Sequence, residues 1–326
     1  MAEETAQTWE RIQGNIESIR KETARVIVGQ EEIVELLLTS LLCKGHCLLV
    51  GVPGLAKTLL VATLGRVLGL KFNRIQFTPD LMPTDIVGSE ILQTAADGSR
   101  AFRFVPGPIF ANLILADEIN RTPPKTQAAL LEAMQEKQVT VNGKTRQLDE
   151  PFTVFATQNP IENEGTYPLP EAQLDRFFFQ LNIGYPSMAD EAEIVRRTVG
   201  RPPSPPSVLL DAPRLLEIQD AVLDVPLSDS VIQSILQLVH STRPASEHAT
   251  ADVKNYFSFG AGPRASQCLA RAARALALLR GKSATSLEEV KAVALPVLRH
   301  RVIANYNATG EGVTSDQILE KLITAL

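Results

Sequence analysis

His46-Cys47-Leu48-Leu49-Val50 runs directly into Gly51-Val52-Pro53-Gly54-Leu55-Ala56-Lys57-Thr58, and the helical spacing that follows opens with Leu59-Leu60-Val61. An apolar run, a glycine-bearing turn and a helix start make a strand-loop-helix unit of the kind that builds parallel α/β sheets. Glycines at 51 and 54 let backbone N–H groups turn toward bound phosphates, and Lys57 can reach the β and γ oxygens. The Thr58 hydroxyl can ligate Mg²⁺, and the helix N-terminus adds a positive field. The expected nucleotide contacts are therefore Gly51, Val52, Pro53, Gly54, Leu55, Ala56, Lys57, Thr58 and Leu59. Ala56 stands where such loops usually carry glycine, and a residue with a Cβ tolerates positive φ poorly. An ordinary βα turn rich in small residues is the competing reading.

At 326 residues and 44% hydrophobic content, the chain can bury a large and a small core, so two domains are expected. A formal net charge of -5 argues against a general basic surface for nucleic acid or anionic lipid, leaving only a local basic pore open. Cys43, Cys47 and Cys268 form no disulfide framework, and Met1-Ala2-Glu3-Glu4-Thr5 lacks the features of a signal peptide. No apolar run approaches a membrane span. A soluble, cytoplasmic chain with no direct membrane insertion is expected.

Helical spacing covers Glu4 to Arg25 and Glu31 to Leu42, and strands are expected at Lys71–Gln76, Leu113–Ala116, Phe152–Thr157 and Phe178–Asn182. Two hairpins interrupt the alternation. One pairs Glu90–Thr94 with Ala101–Val105 around Asp97-Gly98; the other pairs Val139–Val141 with Lys144–Leu148 around Asn142-Gly143. Their polarity suggests surface arms, with extra edge strands as the alternative. Ser187 caps a helix to Val199, and Arg201-Pro202-Pro203-Ser204-Pro205-Pro206-Ser207 cannot continue it. Helices are then expected at 212–223, 228–239, 264–279, 286–300 and 315–324. The expected architecture is α/β: an αβα parallel-sheet domain over residues 1–200, a proline-rich linker at 201–207, and a small all-helical lid over 208–326.

The strand at Leu113 ends in Asp117-Glu118, where a phosphate-loop protein keeps its metal-handling carboxylate. Asp117 suits the Mg²⁺ shell, and Glu118 suits polarising an attacking water, which favours hydrolysis over transfer. An acidic pair ending a strand is otherwise a helix cap or a solvated turn. Asn159, in Gln158-Asn159-Pro160, can orient that water from the sheet's carboxyl end, or can form an Asx turn before proline. Cys43-Lys44-Gly45-His46-Cys47 offers no second ligand pair, so buried thiols are expected there, not a metal. His240, His248 and His300 read as isolated surface or lid residues, and Leu269 to Leu279 as lid core.

Taken together, the loop at 51–58, the run Asp117-Glu118-Ile119-Asn120-Arg121 continuing to Glu136, Ala156-Thr157-Gln158-Asn159-Pro160, Leu174-Asp175-Arg176-Phe177 and Gly262-Pro263-Arg264-Ala265-Ser266 resemble the MoxR family of AAA+ ATPases. The likeness covers nearly the whole chain and includes Ala56. It implies an ATP hydrolase with ATP and Mg²⁺ as ligands, and it casts the hairpins as a helix-two insert and a pre-sensor hairpin facing a ring's pore. It further implies that Asn159 is sensor one, Arg176 an arginine finger reaching a neighbour's nucleotide, and Arg264 the sensor-two residue of the lid. Gly29 and Gln30, in Val28-Gly29-Gln30, resemble the segment bordering adenine; Arg121 stays unassigned. The same likeness implies a homo-oligomeric ring, expected to be a hexamer, and a chaperone-like role in maturing or activating protein complexes with a von Willebrand factor A domain partner. Two alternatives are a nucleic-acid motor, with Lys144 and Arg146 on phosphates, and the ATPase subunit of a metal chelatase.

Overall fold

The computed structural model describes residues 2–94, 100–162, 165–200 and 204–326. In chain order, α1 (Ala2–Ala24) and α2 (Glu31–Leu42) precede β1 (Cys47–Val50), and α3 (Lys57–Val67) follows the loop. Next come β2 (Phe72–Gln76), the short α4 (Pro83–Val87), a hairpin of β3 (Gly88–Thr94) and β4 (Arg100–Pro106), and β5 (Leu113–Asp117). Then α5 (Pro124–Glu136), a hairpin of β6 (Gln138–Val141) and β7 (Lys144–Gln147), β8 (Thr153–Gln158), the short α6 (Glu171–Leu174), β9 (Phe179–Asn182) and α7 (Met188–Val199) follow.

Five strands pair in parallel in the order β2-β5-β8-β1-β9. Strand alternation splits the core into two layers, as the two-residue period of a strand buried on both faces requires. Leu113, Leu115 and Phe155 face α2, α3 and the helices beyond residue 208, whereas Ile114, Ala116, Val154 and Ala156 face α5. Ala156 lies opposite both Ala116 and Leu48, so the carboxyl ends of β5, β8 and β1 share one edge. Open parallel sheets bind ligands in the crevice outside that edge.

Among the described residues both hairpins pair only within themselves and do not extend the main sheet. Asn142 (φ 49°) and Gly143 (φ 75°) form the two-residue turn that Asn-Gly favours; the turn expected at Asp97-Gly98 lies outside the described residues. The second hairpin is more than a surface arm, because Val139 and Val141 are buried and Val139 joins the α5 layer. It also docks on the first: the Arg146 guanidinium lies 3.7 Å from the Phe104 ring centroid, and Glu90 pairs with Lys144 at 3.3 Å and Arg146 at 3.7 Å.

Beyond the proline-rich stretch come α8 (Ala212–Ala221), α9 (Asp229–Ser241), α10 (Ala251–Tyr256), β10 (Phe257–Phe259), α11 (Pro263–Leu279), α12 (Leu287–Leu298), β11 (Ile303–Ala304), α13 (Tyr306–Glu311) and α14 (Ser315–Thr324). Side chains of Asp211, Ser228, Thr250, Ser286, Asn305 and Thr314 cap six of these helices by accepting first-turn N–H groups. The region is not wholly helical: β10 and β11 form a short antiparallel ladder, too brief to show a strand period. Among the described residues no single helix is long and apolar enough to cross a membrane.

Candidate active site

Each candidate residue is set by the backbone that precedes it. A Cβ on Gly51 would lie 2.8 Å from the Ile183 carbonyl oxygen, so only glycine lets β1 leave the sheet there. Gly54 (φ +87°) and Ala56 (φ 54°) both adopt left-handed conformations, and Ala56 begins α3 without a side-chain cap. The first-turn N–H groups of α3 therefore stay available at the loop. Lys57 Nζ folds back to donate to the Gly51 oxygen at 2.6 Å and the Val52 oxygen at 2.8 Å. Partial burial lowers its pKa below the ordinary ammonium value, against the opposing pull of Asp117 and Glu118.

Asp117 ends β5 and is 9% exposed. One of its oxygens accepts from Thr157 Oγ1 at 2.5 Å, and the other accepts from Arg74 Nη2 at 2.7 Å and Nε at 3.0 Å. Glu118 follows at φ 58°, its N–H donating to the same Thr157 oxygen at 2.8 Å. Its Oε2 accepts from Gln76 Nε2 at 2.8 Å and from Arg121 Nη1 at 3.0 Å, which gives Arg121 a partner. Asn159, 5% exposed, combines both readings of its position. Its Oδ1 accepts from the Ile161 N–H at 3.3 Å as in an Asx turn, and its buried Nδ2 has no partner among the described residues.

These groups converge on a cleft of about 400 Å³ lined by Pro53, Gly54, Leu55, Ala56, Lys57, Thr58 and Leu59, and by Asp117, Glu118, Thr157 and Asn159. Gly29 (φ +69°) packs so close to Asp190 that a Cβ would meet its carboxyl carbon at 2.4 Å, while Gln30 Nε2 approaches the Leu55 oxygen at 3.5 Å. Arg176 and Arg264 lie outside the cleft. Arg176 is exposed, and Arg264 pairs with Asp175 at 2.9 Å. Arg74, Gln76 and Thr157 escaped the sequence reading; the signal available was the polar alternation Arg74, Gln76 near the end of a strand.

Away from the cleft, both His46 ring nitrogens are engaged by backbone, the Val154 N–H at 2.9 Å and the Met134 oxygen at 3.0 Å, which leaves the Cys43–Cys47 segment no imidazole for a metal. His240 and His248 are not isolated, since their rings meet edge to face with centroids 6.4 Å apart. His300 is buried and bonds the Phe177 carbonyl at 3.0 Å.

Residues 46–179 match the family model described as ATPase family associated with various cellular activities (AAA), and residues 249–322 match the AAA lid domain. The chain is 46% identical to Chaperone MoxR1 of Mycobacterium tuberculosis, over 93% of this chain and 79% of that protein. It is 32% identical to Protein MoxR of Paracoccus denitrificans, over 85% of each. A crystal structure of a putative ATPase from Cytophaga hutchinsonii superposes with a TM-score of 0.93 at 41% identity, covering 100% of this chain and 98% of that one. Sheet order, the AAA and AAA lid matches and the relatives agree, and the chain belongs to the MoxR family of AAA+ ATPases.

Proposed function

We propose that the cleft binds Mg-ATP and cleaves the γ-phosphate by attack of water, and that a ring of these subunits, a hexamer, uses the turnover for chaperone-like maturation or activation of protein complexes. The observation that carries the chemistry is the convergence on one cleft at the sheet's carboxyl edge of an ammonium, two carboxylates and a buried amide nitrogen, Asn159 Nδ2, without a partner among the described residues. The Thr58 hydroxyl and the Asp117 carboxylate are hard oxygen donors of the kind Mg²⁺ takes, so the residues fit the metal. When bound, the metal neutralises charge on the phosphate oxygens.

Lys57 exchanges its two loop carbonyls for phosphate oxygens, with the backbone of Gly51–Leu59 around them. Glu118 takes the proton of the attacking water, and Asn159 Nδ2 orients that water. Arg176 serves a neighbouring subunit's γ-phosphate and Arg264 the phosphate of its own chain, while Gly29 and Gln30 border the base. In this reading residues 1–200 are the nucleotide-binding unit, 201–207 the link and 208–326 the lid.

Likeness to a protein described as a chaperone supports a protein client, and the family resemblance supports a von Willebrand factor A domain partner. Lys144 and Arg146 pair with Glu90, which argues against their serving nucleic-acid phosphates. The three free, buried cysteines suit a reducing cytoplasm.

Lys57→Ala is expected to abolish nucleotide binding or turnover, and Glu118→Gln to retain ATP while turnover falls by about a hundredfold or more. Normal turnover in Lys57→Ala removes the phosphate-loop assignment. Affinity capture with Glu118→Gln from cell extract, followed by mass spectrometry, addresses the client. Enrichment of a von Willebrand A protein with an enzyme complex supports maturation, whereas nucleic acid or tetrapyrrole enzymes would move the function to the alternatives.

A further inference from the structure

The turn that carries Arg176 is gripped by the lid. Arg301, just past α12, has a side chain only 1% exposed and reaches across to residues 175–178. Its Nε donates to Asp175 Oδ1 at 2.9 Å, and its Nη2 to the Asp175 oxygen at 3.0 Å and the Phe177 oxygen at 2.6 Å. Its Nη1 donates to the Phe178 oxygen at 3.3 Å and the Val297 oxygen at 2.5 Å. His300 Nε2 donates to the same Phe177 carbonyl at 3.0 Å. Asp175 accepts a second lid arginine on its other oxygen, Arg264 Nη1 at 2.9 Å. One carboxylate therefore holds two lid guanidinium groups, one buried and one half-exposed, while the intervening Arg176 is exposed and has no ion pair among the described residues.

A buried guanidinium persists only when its donors are met, and Arg301 meets them largely with the carbonyls of this one turn. Its planar fork fixes the turn's orientation on the lid in a way that a lysine point charge does not. The Arg264–Asp175 pair is half-exposed, and such a pair is weak enough to yield to a multiply charged phosphate.

We propose that Asp175 and Arg301 are positioning residues that tie Arg176 to the lid, and that Asp175 is the acceptor which Arg264 leaves when ATP enters its own site. This rests on the reading of Arg176 as a finger in trans and of Arg264 as a phosphate ligand in cis. Once Arg264 departs, Arg301 keeps the turn on the lid, so lid movement at one site is passed to the finger serving the next.

Asp175→Asn leaves an acceptor for Arg301 and removes the charge that holds Arg264. Binding of a fluorescent ATP analogue is expected to tighten about two- to fivefold, the worth of one half-exposed ion pair. Turnover at saturating ATP is expected to fall about tenfold or more, the scale of a misplaced catalytic group. A purely structural role would lower stability without these opposite shifts, and unchanged binding and turnover overturn the proposal. Mixing Arg176→Ala subunits with Glu118→Gln subunits, which retain ATP, restores turnover if fingers act in trans. Adding Asp175→Asn to the Glu118→Gln partner is expected to cut that recovery about tenfold. Undiminished recovery overturns the coupling and leaves the finger intact, whereas no recovery with the unmodified partner overturns the finger reading and the coupling with it. Should Asp175→Asn fail to fold, Arg301→Lys decides: it keeps the charge and loses the fork, and wild-type turnover in it overturns the proposal.

Discussion

Two residues with side chains sit at positive φ where the sheet meets the cleft, Ala56 at 54° and Glu118 at 58°. Left-handed backbone costs a non-glycine residue on the order of 1 kcal/mol, and such strain collects at functional sites. Ala56 is the smallest side chain that can pay it, which reconciles the loop's unusual residue with its shape. Glu118 is compensated by Thr157, whose one hydroxyl accepts from the Glu118 N–H and donates to Asp117. Thr157→Val keeps the volume and leaves both groups unmet, so stability is expected to fall by about 1–3 kcal/mol in denaturant titrations. Turnover is expected to fall about tenfold or more with ATP binding retained, and Thr157→Ser to recover most of both. Wild-type turnover in Thr157→Val would leave the hydroxyl a purely structural role.

Among the elements, the two hairpins behave as one unit because Arg146 on β7 stacks on Phe104 of β4 and pairs with Glu90 of β3. A cation–π contact at a partly exposed site contributes about 0.5–2 kcal/mol. Arg146→Ala is therefore expected to speed amide exchange across β3 and β4 about fivefold while the five-stranded sheet keeps its protection, read by hydrogen-exchange mass spectrometry. Unchanged exchange would make them independent arms. β1 and β5 were legible because each holds a contiguous apolar run, Cys47–Val50 and Leu113–Ala116, and the second hairpin because Asn142-Gly143 states its turn. Pro83–Val87, Glu171–Leu174 and the ladder of Phe257–Phe259 with Ile303–Ala304 were not, since each is too short to repeat a helical or strand period. The same holds at the site. Lys57, Asp117, Glu118 and Asn159 stand in local motifs, whereas Gln76 meets Glu118 only through the pairing of Gln76 with Asp117 across β2 and β5. Arg301 lies 126 positions from Asp175, a distance no local pattern spans.

At the scale of the molecule, one apolar layer runs unbroken from α2 and α3 into the lid, and two imidazoles pin elements together around it. His46 links the entry of β1 to β8 and α5, and His300 links the lid to the Phe177 carbonyl. Burial pushes the His46 pKa down to about 4, against the Met134 carbonyl, which favours the charged ring. Burial and then Arg301 hold His300 well below the ordinary value of 6.5. The unfolded chain therefore takes up these protons first. The stability they contribute is fully present above about pH 6.5 and is lost as pH falls toward the folded values. For His46 the loss between pH 6.5 and 4 is at most about 3 kcal/mol, and His300 adds to it with the same sign. Carboxylates held low, such as Glu193 by Arg197 and Arg196, begin to lose their contribution only as pH approaches their ordinary value of 4.5, so the window from pH 6.5 to 5 isolates the rings. Urea midpoints are expected to fall across that window, and His46→Asn, which keeps an acceptor for the Val154 N–H, to fall with about half the wild-type slope. A wild-type midpoint that stays flat from pH 7 to 5 would mean that both rings take up their protons in the folded chain as readily as in the unfolded one.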